Sequence, residues 1–240
     1  MQEALTQEQI FVTVDIMALT VQDGQLKLLL SRRVRPPDQG RWALFGKLIG
    51  VEETAETAAK ALLEEMLPVR EVFLEQLYTF SDRERDPRGR VISIAYLAVL
   101  PWKELQGVLS AGDPKLRLFT LHADGGGLRL GSPDGTELTG EDLAFDHGTI
   151  VETGLLRLRG KLHYTDIAFH FLNDTRSFFL SELQGVFEAV LDKPVDGSNF
   201  RRAMLGRYVD TGRMVQVEHP STARRRGRGR PAALYCLTQD

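Results

Sequence analysis

The sequence is poor in cysteine and lacks long apolar runs, and both absences limit what the protein can be. Cys236 is the only cysteine among 240 residues, so neither an intrachain disulfide nor a thiolate-type metal site can form. No apolar run approaches the length that spans a bilayer, and the first residues lack the basic-then-apolar pattern of a signal peptide. We therefore expect a cytoplasmic protein with no membrane-spanning segment, no metal and no cofactor.

Charge is divided unevenly along a chain whose composition is otherwise ordinary, with 42% hydrophobic and 26% charged residues. From Arg176 onward there are 11 Lys and Arg against 7 Asp and Glu, a local charge of +4. Residues 1–175 hold the remaining 19 basic and 26 acidic residues, a charge of −7. This division indicates a basic module that meets a polyanion, joined to an acidic one, although statistical scatter would also produce it.

The first half of the chain reads as β-strands around one strong helix. Asp23-Gly24 is a hairpin signal between two apolar runs. The Ala-rich segment Thr54–Met66 has no interior Gly or Pro, and Pro68 ends it. This pattern predicts a mixed α/β domain rather than a helical bundle. The predicted strands are Phe11–Thr20, Leu26–Leu30, Leu74–Phe80 and Val91–Leu100, with further candidates at Lys115–His122 and Leu128–Leu130.

The pattern becomes helical again from Glu141 to the segment Arg159-Gly160-Lys161. Because Gly154 weakens this helix, one helix and two short helices both remain open. We interpret residues 141–165 as the helical connection between a first domain at 8–140 and a second at 166–240. The stretch 107–140 is long for such a first domain, so its local topology is not predicted.

The second domain has the order helix, turn, helix and two-stranded hairpin, which is the layout of a winged helix-turn-helix. Ser181 and Gln184 have the spacing of a capping box for the first helix. The fold class is therefore α+β, with the winged helix at the C-terminal end. The predicted elements are the helices Leu180–Leu191 and Asn199–Tyr208 and the strands Met214–Glu218 and Ala233–Leu237.

Two groups of residues in the second domain fit double-stranded DNA. The second helix of a helix-turn-helix lies in the major groove, where Arg and Asn donate paired hydrogen bonds to base edges. The basic loop of the hairpin can neutralise phosphates and enter the minor groove. A charge run alone is more often solvated surface, but this one occupies the position of a wing. The predicted DNA-binding residues are Ser198, Asn199, Arg201, Arg202, Arg224, Arg225, Arg226, Arg228 and Arg230.

The helix at Thr54–Met66 carries a second motif. The segments Gly46–Glu52 and Lys60–Glu65 resemble the Nudix box, in which Gly, five residues, Glu and seven residues precede Arg-Glu-x-x-Glu-Glu. Positions 61, 64 and 65 share one helix face, where three carboxylates would bind the divalent cations that polarise a pyrophosphate. Here Ala61 replaces the first carboxylate, so we expect hydrolysis to be weak or absent and no catalytic residue to remain. Without the aligned glycine and glutamate, an ordinary acidic surface helix would explain the same residues.

Together the two halves resemble the Nudix-related transcriptional regulators called NrtR, over nearly the whole chain. The resemblance implies an N-terminal Nudix-like α/β/α sandwich and a homodimeric repressor of NAD-related operons, with ADP-ribose or a related nucleotide as effector. Family members with a broken box are regarded as sensors that bind the ligand without cleaving it. The segments that carry the resemblance are Thr13–Asp15, Arg41–Leu44, Leu77–Phe80, Arg85–Arg90, Leu143–His147, Leu158–Leu162, Asn199–Arg202 and Gly229–Ala232.

A nucleotide pocket in the first domain follows from this resemblance. We expect Arg41 and Lys47 near the phosphates and Phe45 in the wall, although a surface lysine is the more common role of such a residue. His147 is a further candidate, against the more common role of a hydrogen-bonded core histidine. The predicted effector-binding residues are Arg41, Phe45, Lys47, Glu64, Glu65 and His147. Ligand binding would rearrange residues 141–165 and respace the two recognition helices of a dimer on a palindromic operator.

Two other functions remain open at this point. A Nudix pyrophosphatase with a basic tail predicts magnesium-dependent release of AMP from ADP-ribose, and Ala61 argues against it. A constitutive DNA-binding protein with a relic domain predicts an operator affinity that is indifferent to nucleotides.

Overall fold

A computed structural model describes the protein at residues 9–69, 72–110, 112–217 and 233–238. Short 3₁₀ segments lie at 140–142 and 167–171, and a π-helical turn follows the last helix at Leu205–Val209. The strands and helices are β1 (Phe11–Gln22), β2 (Gln25–Arg32), β3 (Trp42–Ala43), β4 (Phe45–Leu48), α1 (Ala55–Met66), β5 (Phe73–Phe80), β6 (Val91–Val99), α2 (Trp102–Ser110), β7 (Leu116–Asp124), β8 (Gly127–Gly131), β9 (Glu137–Thr139), α3 (His147–Lys161), β10 (Phe178–Phe179), α4 (Leu180–Leu191), α5 (Gly197–Met204), β11 (Met214–Val217) and β12 (Leu234–Leu237).

The large mixed sheet has the strand order β5-β6-β1-β2-β7-β8-β9. β1 and β6 run parallel, and the other neighbouring pairs in this order are antiparallel. The predicted turn between β1 and β2 is confirmed, because Asp23 and Gly24 both have positive φ, 51° and 72°, as a two-residue hairpin loop requires. β4 pairs with the first half of β1 and β3 with the end of β2, so both join the same sheet.

Helices cover both faces of this sheet. The side chains of β1 alternate between the two faces, so apolar residues on each face need a helix to pack against. Val14 and Ile16 point into a core with the buried side of α1, where Ala58 and Leu62 lie. Met17 on the other face belongs to the core that contains α3. The predicted α/β/α sandwich is therefore confirmed. The side chain of Thr54 caps α1, accepting from the backbone N–H of Thr57 at 3.1 Å.

α3 is a single 15-residue helix, which settles the alternative between one helix and two. A Cβ on Gly154 would lie 2.4 Å from the Sδ of Met17 and 3.1 Å from the Cδ2 of Leu77. Glycine is therefore needed for the close approach of α3 to the sheet, although it lowers the intrinsic helix propensity. Residues 141–165 consequently form a layer of the sandwich as well as leading to the second domain.

The stretch whose topology the sequence did not predict extends the sheet. β8 and β9 follow β7 in antiparallel order at one edge. α2, which we did not predict, precedes them and buries Leu105 against the core that contains α1. Trp102, Val108 and Leu109 of the same helix face are partly buried against this core.

The winged helix confirms the predicted order of two helices followed by a hairpin, with three corrections. A third, short strand joins the wing, in the order β10-β12-β11. α5 begins at Gly197 rather than Asn199, because the Asp196 carboxylate accepts from the backbone N–H of Asn199 at 2.8 Å and so caps the helix. The predicted capping box of α4 is wrong: Glu182, not Gln184, accepts from a backbone N–H, that of Phe179, at 2.7 Å.

The two domains share one continuous core and specific polar contacts. Phe187 of α4 and Phe200 of α5 belong to the same buried cluster as the sheet residues under α3. Arg159, near the end of α3, donates from Nε to the carbonyl of Val190 at 2.9 Å and from Nη1 to the carbonyl of Ala123 at 3.0 Å. Arg159 of α3 therefore contacts the winged helix at Val190 and the sheet at Ala123.

Within the described ranges, no helix has both the length and the apolar character needed to cross a membrane.

Candidate effector cavity and DNA-binding surface

A basic cavity of about 520 Å³ opens at one end of the first domain. The loop after β2, strand β4 and the loop between β5 and β6 supply its lining. Seven Lys and Arg line it against three Asp, among them Arg33, Arg88, Lys47 and Lys115. An excess of cations in a concave site concentrates anions, so the cavity suits a polyanionic ligand. We refer to it below as the basic cavity.

Buried charges form the floor of the basic cavity. Arg85 donates from Nε to Asp146 Oδ2 at 2.9 Å and from Nη2 to Asp146 Oδ1 at 2.7 Å. The same Nη2 lies 3.5 Å from Asp15 Oδ2, to which Ser93 Oγ also donates. Asp15, Arg85 and Ser93 are all buried. The floor thus joins β1, β6 and the loop after β5 to the N-cap residue of α3.

His147 forms part of the cavity wall at the first residue of α3. Its side chain is buried, and its Nδ1 accepts from the backbone N–H of Leu44 at 2.9 Å. Since Nδ1 accepts, the proton of the neutral ring is on Nε2, which lies 3.7 Å from Asp15 Oδ1. Burial lowers the pKa of His147, and the carboxylates of Asp15 and Asp146 oppose this only in part. The ring is therefore neutral at physiological pH.

Phe145 stands between the basic cavity and a second, neighbouring cavity, and lines both. The Arg33 guanidinium lies 4.4 Å and the Arg88 guanidinium 5.4 Å from its ring centroid. Burial, and then the charge of Arg88, lower the pKa of Arg33. Sequence reasoning missed these three residues. The available signal was the two arginine-rich loops, SRRVRPPDQG and SDRERDPRGR, which supply both cations.

Two of the residues predicted to bind an effector line the basic cavity, Lys47 and His147. The Lys47 ammonium also donates to Glu53 Oε1 at 2.7 Å, and this hydrogen bond holds the pKa of Glu53 below its ordinary value. Arg41 does not line the basic cavity. It lines the second cavity, and its guanidinium binds the backbone carbonyls of Glu141 and Asp142.

The other predicted effector residues lie away from the cavity. Phe45 is buried beneath α1, on the opposite side of the sheet from the basic cavity floor. Its neighbours Leu44, Gly46 and Lys47 line the cavity instead. Glu64 and Glu65 are exposed on α1 and line neither cavity. In the part of the chain that the structure describes, no group of three His, Cys, Asp or Glu could hold a metal ion.

The predicted DNA-binding residues of α5 share its exposed face, whereas Phe200 and Met204 are buried on the other. Arg202 Nη2 donates to Asn199 Oδ1 at 2.9 Å, and Arg201 Nη2 lies 3.5 Å from the hydroxyl of Tyr235 in the wing. The exposed group comprises Ser198, Asn199, Arg201 and Arg202. The predicted wing residues Arg224, Arg225, Arg226, Arg228 and Arg230 lie outside the described residues.

The π-helical turn after α5 is hydrogen-bonded to the segment that follows α3. Arg207 donates to the carbonyl of His163 at 2.8 Å and to that of Thr165 at 3.1 Å. Tyr208 donates its hydroxyl proton to Asp166 Oδ1 at 2.9 Å, and burial together with this hydrogen bond raises its pKa. These hydrogen bonds join the turn after α5 to residues 163–166, which follow α3.

Comparison with known proteins assigns both domains. The NUDIX domain family matches residues 11–123, and the NrtR DNA-binding winged helix domain matches residues 168–237. Both matches fall within the predicted domains, whose boundaries at 140 and 165 stay predictions. The ADPR responsive transcriptional repressor NtrR of Acinetobacter baylyi is 28% identical over 226 residues, which cover 93% of this chain and 80% of the relative.

Two solved structures resemble the whole chain. Shewanella oneidensis NrtR complexed with a 27mer DNA has a TM-score of 0.72 and 29% identity, covering 95% of this chain and 93% of its own. A MutT/nudix family protein from Enterococcus faecalis has a TM-score of 0.75 and 26% identity, covering 99% and 90%. With a Nudix domain followed by an NrtR-type winged helix, the chain belongs to the NrtR family of Nudix-related transcriptional regulators.

Proposed function

We propose that this protein is a transcriptional repressor of NAD-related genes that responds to ADP-ribose or a related nucleotide. The basic cavity would bind the nucleotide, and α5 with the wing would bind operator DNA. The observation that carries this proposal is that the cavity lies at the first turn of α3, while the last turns of the same helix contact the winged helix. One helix thus touches both the ligand site and the DNA-binding domain.

The charge of the basic cavity supports a diphosphate as the part of the ligand that is recognised. Arginine donates paired hydrogen bonds to phosphate oxygens, and lysine supplies a compact positive charge. Lys47 and Arg88 border the same space from two separate segments. The related repressor of Acinetobacter baylyi is named for its response to ADPR, which supports ADP-ribose as the first nucleotide to test.

Binding without cleavage is supported by the residues of the Nudix helix. Ala61 cannot supply a carboxylate, and the remaining Glu64 and Glu65 lie on the exposed side of α1 outside the basic cavity. A pyrophosphatase would need divalent cations beside the scissile diphosphate. ADP-ribose with Mg²⁺ and the protein should therefore release no AMP above the buffer control. Sustained release would favour the pyrophosphatase alternative.

DNA binding is supported by the exposed face of α5 and by the match to a DNA-binding winged helix. Two copies related by a two-fold axis would place two α5 helices on a palindromic operator. A homodimer that acts on chromosomal DNA in the cytoplasm is therefore part of this proposal.

The decisive experiment measures affinity for a labelled duplex from the gene's own upstream region, with and without ADP-ribose, at moderate ionic strength. We expect specific binding that ADP-ribose changes. The double variant Arg201→Ala, Arg202→Ala should lose about 1–3 kcal/mol for each lost base contact. Arg176→Ala, an exposed basic residue of the same domain, is the matched control and should keep its affinity.

Two results would contradict the proposal. A protein that ignores its upstream DNA is not a regulator of that region. A protein that binds the DNA with the same affinity in the presence and absence of nucleotide is the constitutive DNA-binding alternative, provided that a direct titration also detects no nucleotide binding.

A further inference from the structure

Phe145 has an unusual backbone at a sensitive position. It lies two residues before α3, and its φ of 52° falls in the left-handed region, which bulky L residues rarely adopt. Its backbone N–H donates to Asp38 Oδ2 at 2.8 Å. Asp38 belongs to the loop that borders the basic cavity and is itself left-handed, with a φ of 58°. The surroundings therefore hold Phe145 in a conformation that it would leave if they changed.

Two of those surroundings are cations that also line the basic cavity. The guanidiniums of Arg33 and Arg88 lie 4.4 and 5.4 Å from the centroid of the Phe145 ring. Arg33 is further held by the carbonyl of Pro37, 3.0 Å from its Nε, and Arg88 pairs with Asp86 at 2.7 Å. Both arginines thus contact the ring and also line the basic cavity.

An anionic ligand would compete with the ring for these cations. A guanidinium makes short, charge-assisted and often paired hydrogen bonds to phosphate, which are stronger than its attraction to an aromatic face at a partly exposed site. A diphosphate in the basic cavity would therefore draw Arg33 and Arg88 away from Phe145. The Phe145 ring would then lose its two cation contacts, while its left-handed backbone would remain energetically unfavourable.

The first turn of α3 would respond to that change. Asp146 is the N-cap residue of the helix and is bound by Arg85 of the cavity floor. His147 begins the helix and accepts from the backbone N–H of Leu44 in the cavity wall. At the other end, Arg159 binds the carbonyl of Val190 in α4. A relaxation at Phe145 would therefore shift a helix that contacts the winged helix directly.

We propose that Phe145 is the residue that couples occupancy of the basic cavity to the position of the winged helix, through the exchange of Arg33 and Arg88 between its ring and bound phosphate. Phe145 acts as a positioning residue, because its effect on the winged helix passes through Arg33, Arg88 and the first turn of α3. This inference rests on the proposed function and adds to it the route by which the ligand acts.

The test compares two substitutions that differ in the aromatic face. Phe145→Leu keeps a bulky apolar residue under the same backbone demand but offers no ring, whereas Phe145→Tyr keeps the ring. For each protein, calorimetry gives the Kd of ADP-ribose, and anisotropy gives the Kd of operator DNA with and without saturating ADP-ribose. The ratio of the two DNA constants measures the coupling.

We expect the wild type and Phe145→Tyr to show a ratio in the range of roughly 5- to 150-fold that couplings between sites usually span. In Phe145→Leu this ratio should fall close to one, at an ADP-ribose concentration that the variant's own Kd shows to be saturating. Phe145→Gly adopts the left-handed backbone without steric cost and also lacks the ring, so its ratio should be close to one as well. This variant provides the measurement if Phe145→Leu does not fold.

A wild-type ratio in both ring-less variants overturns the proposal, and so does a ratio that collapses in Phe145→Tyr. Failure of the wild type to bind ADP-ribose or DNA is a different result, because it removes the proposed function and the coupling with it.

Discussion

The guanidinium of Arg85 makes a paired hydrogen bond to the carboxylate of Asp146, at 2.9 and 2.7 Å. The side chain of Arg85 is 4% exposed and that of Asp146 is 19% exposed, so the pair is largely shielded from solvent. Arg85 belongs to the loop between β5 and β6, and Asp146 is the N-cap residue of α3. The basic cavity and the helix that leads to the winged helix are thus joined by a mostly buried ion pair.

Asp146→Ala should be strongly destabilising, because it leaves the Arg85 charge buried with only Asp15, 3.5 Å away. We expect a loss of about 3 kcal/mol, the lower end of the range for removing one partner of a buried pair. Urea unfolding followed by tryptophan fluorescence measures it, with Trp42 and Trp102 as reporters. Asp124→Ala, which breaks the exposed pair with Arg129, should cost less than about 1 kcal/mol. Equal losses in the two variants would contradict the structural role given to Asp146.

Periodicity and turn chemistry predicted much of the fold. The amphipathic pattern at Leu180–Leu191 gives α4 with the observed bounds, and Asp23-Gly24 marks the hairpin turn. The prediction missed short elements. α2 has nine residues, and β10 has two. The bounds of α5 depend on the cap formed by Asp196, which competes with other polar residues of the same turn.

The candidate site was predicted less well than the fold, since contacts distant in sequence build it. Arg85 lies 61 residues from Asp146 and 70 from Asp15. Local patterns carry no information on such pairs. The prediction for Phe45 was wrong for a related reason. Phe45 pairs with Ile16 of β1, and both side chains lie in the core beneath α1. The sequence around Phe45 does not indicate this pairing partner.

Gly154→Ala should destabilise the protein, although alanine is the better helix former. The added methyl would meet the Sδ of Met17 at 2.4 Å, and Met17 is fully buried, so its side chain can move aside only by disturbing the core around it. We expect a loss of about 1–3 kcal/mol in the free energy of unfolding, the usual cost of overpacking. Gly160→Ala in the same helix is the matched control, since its Cβ meets no atom of the described residues within 4 Å. That variant should gain up to about 1 kcal/mol. Gains in both variants would show that α3 does not pack closely on β1.

Lys47→Ala should weaken nucleotide binding without affecting the fold. Its ammonium lines the basic cavity and is about 31% exposed. A hydrogen bond to a charged group is worth about 1.5–3 kcal/mol. Because the Lys47 ammonium also donates to Glu53, we expect a loss at the lower end of this range, which is about a tenfold rise in the Kd of ADP-ribose. Calorimetry in the presence of a metal chelator measures it. Lys60→Ala, on the exposed face of α1 beside Glu56, should bind as wild type. An unchanged Kd in Lys47→Ala would place the phosphates elsewhere in the cavity.

The buried His147 should make stability fall as the pH drops below about 6.5, the ordinary pKa of histidine. Burial lowers the pKa of His147 in the folded protein, so above this pH the ring is neutral in both states and contributes no pH dependence. Below about pH 6.5 the histidine of the unfolded chain binds a proton, whereas the buried ring of the folded protein stays neutral. The free energy of unfolding therefore falls by up to about 1.4 kcal/mol per pH unit. Most carboxylates of the unfolded chain titrate nearer pH 4, so urea unfolding between pH 7 and about 5 reports on the histidines. Burial also lowers the pKa of His170, so the contribution of His147 is read as a difference between the wild type and a variant without that ring.

His147→Asn removes the titrating group and keeps an acceptor near the backbone N–H of Leu44, which now donates to Nδ1 at 2.9 Å. Its unfolding free energy should therefore vary less with pH over the same interval than that of the wild type. His163→Asn, at an exposed position beyond α3, is the matched control and should retain the wild-type slope. A part of the slope should persist in His147→Asn, because burial also lowers the pKa of His170. A slope equal to that of the wild type would contradict the prediction, since it would mean that His147 does not contribute to the acid sensitivity.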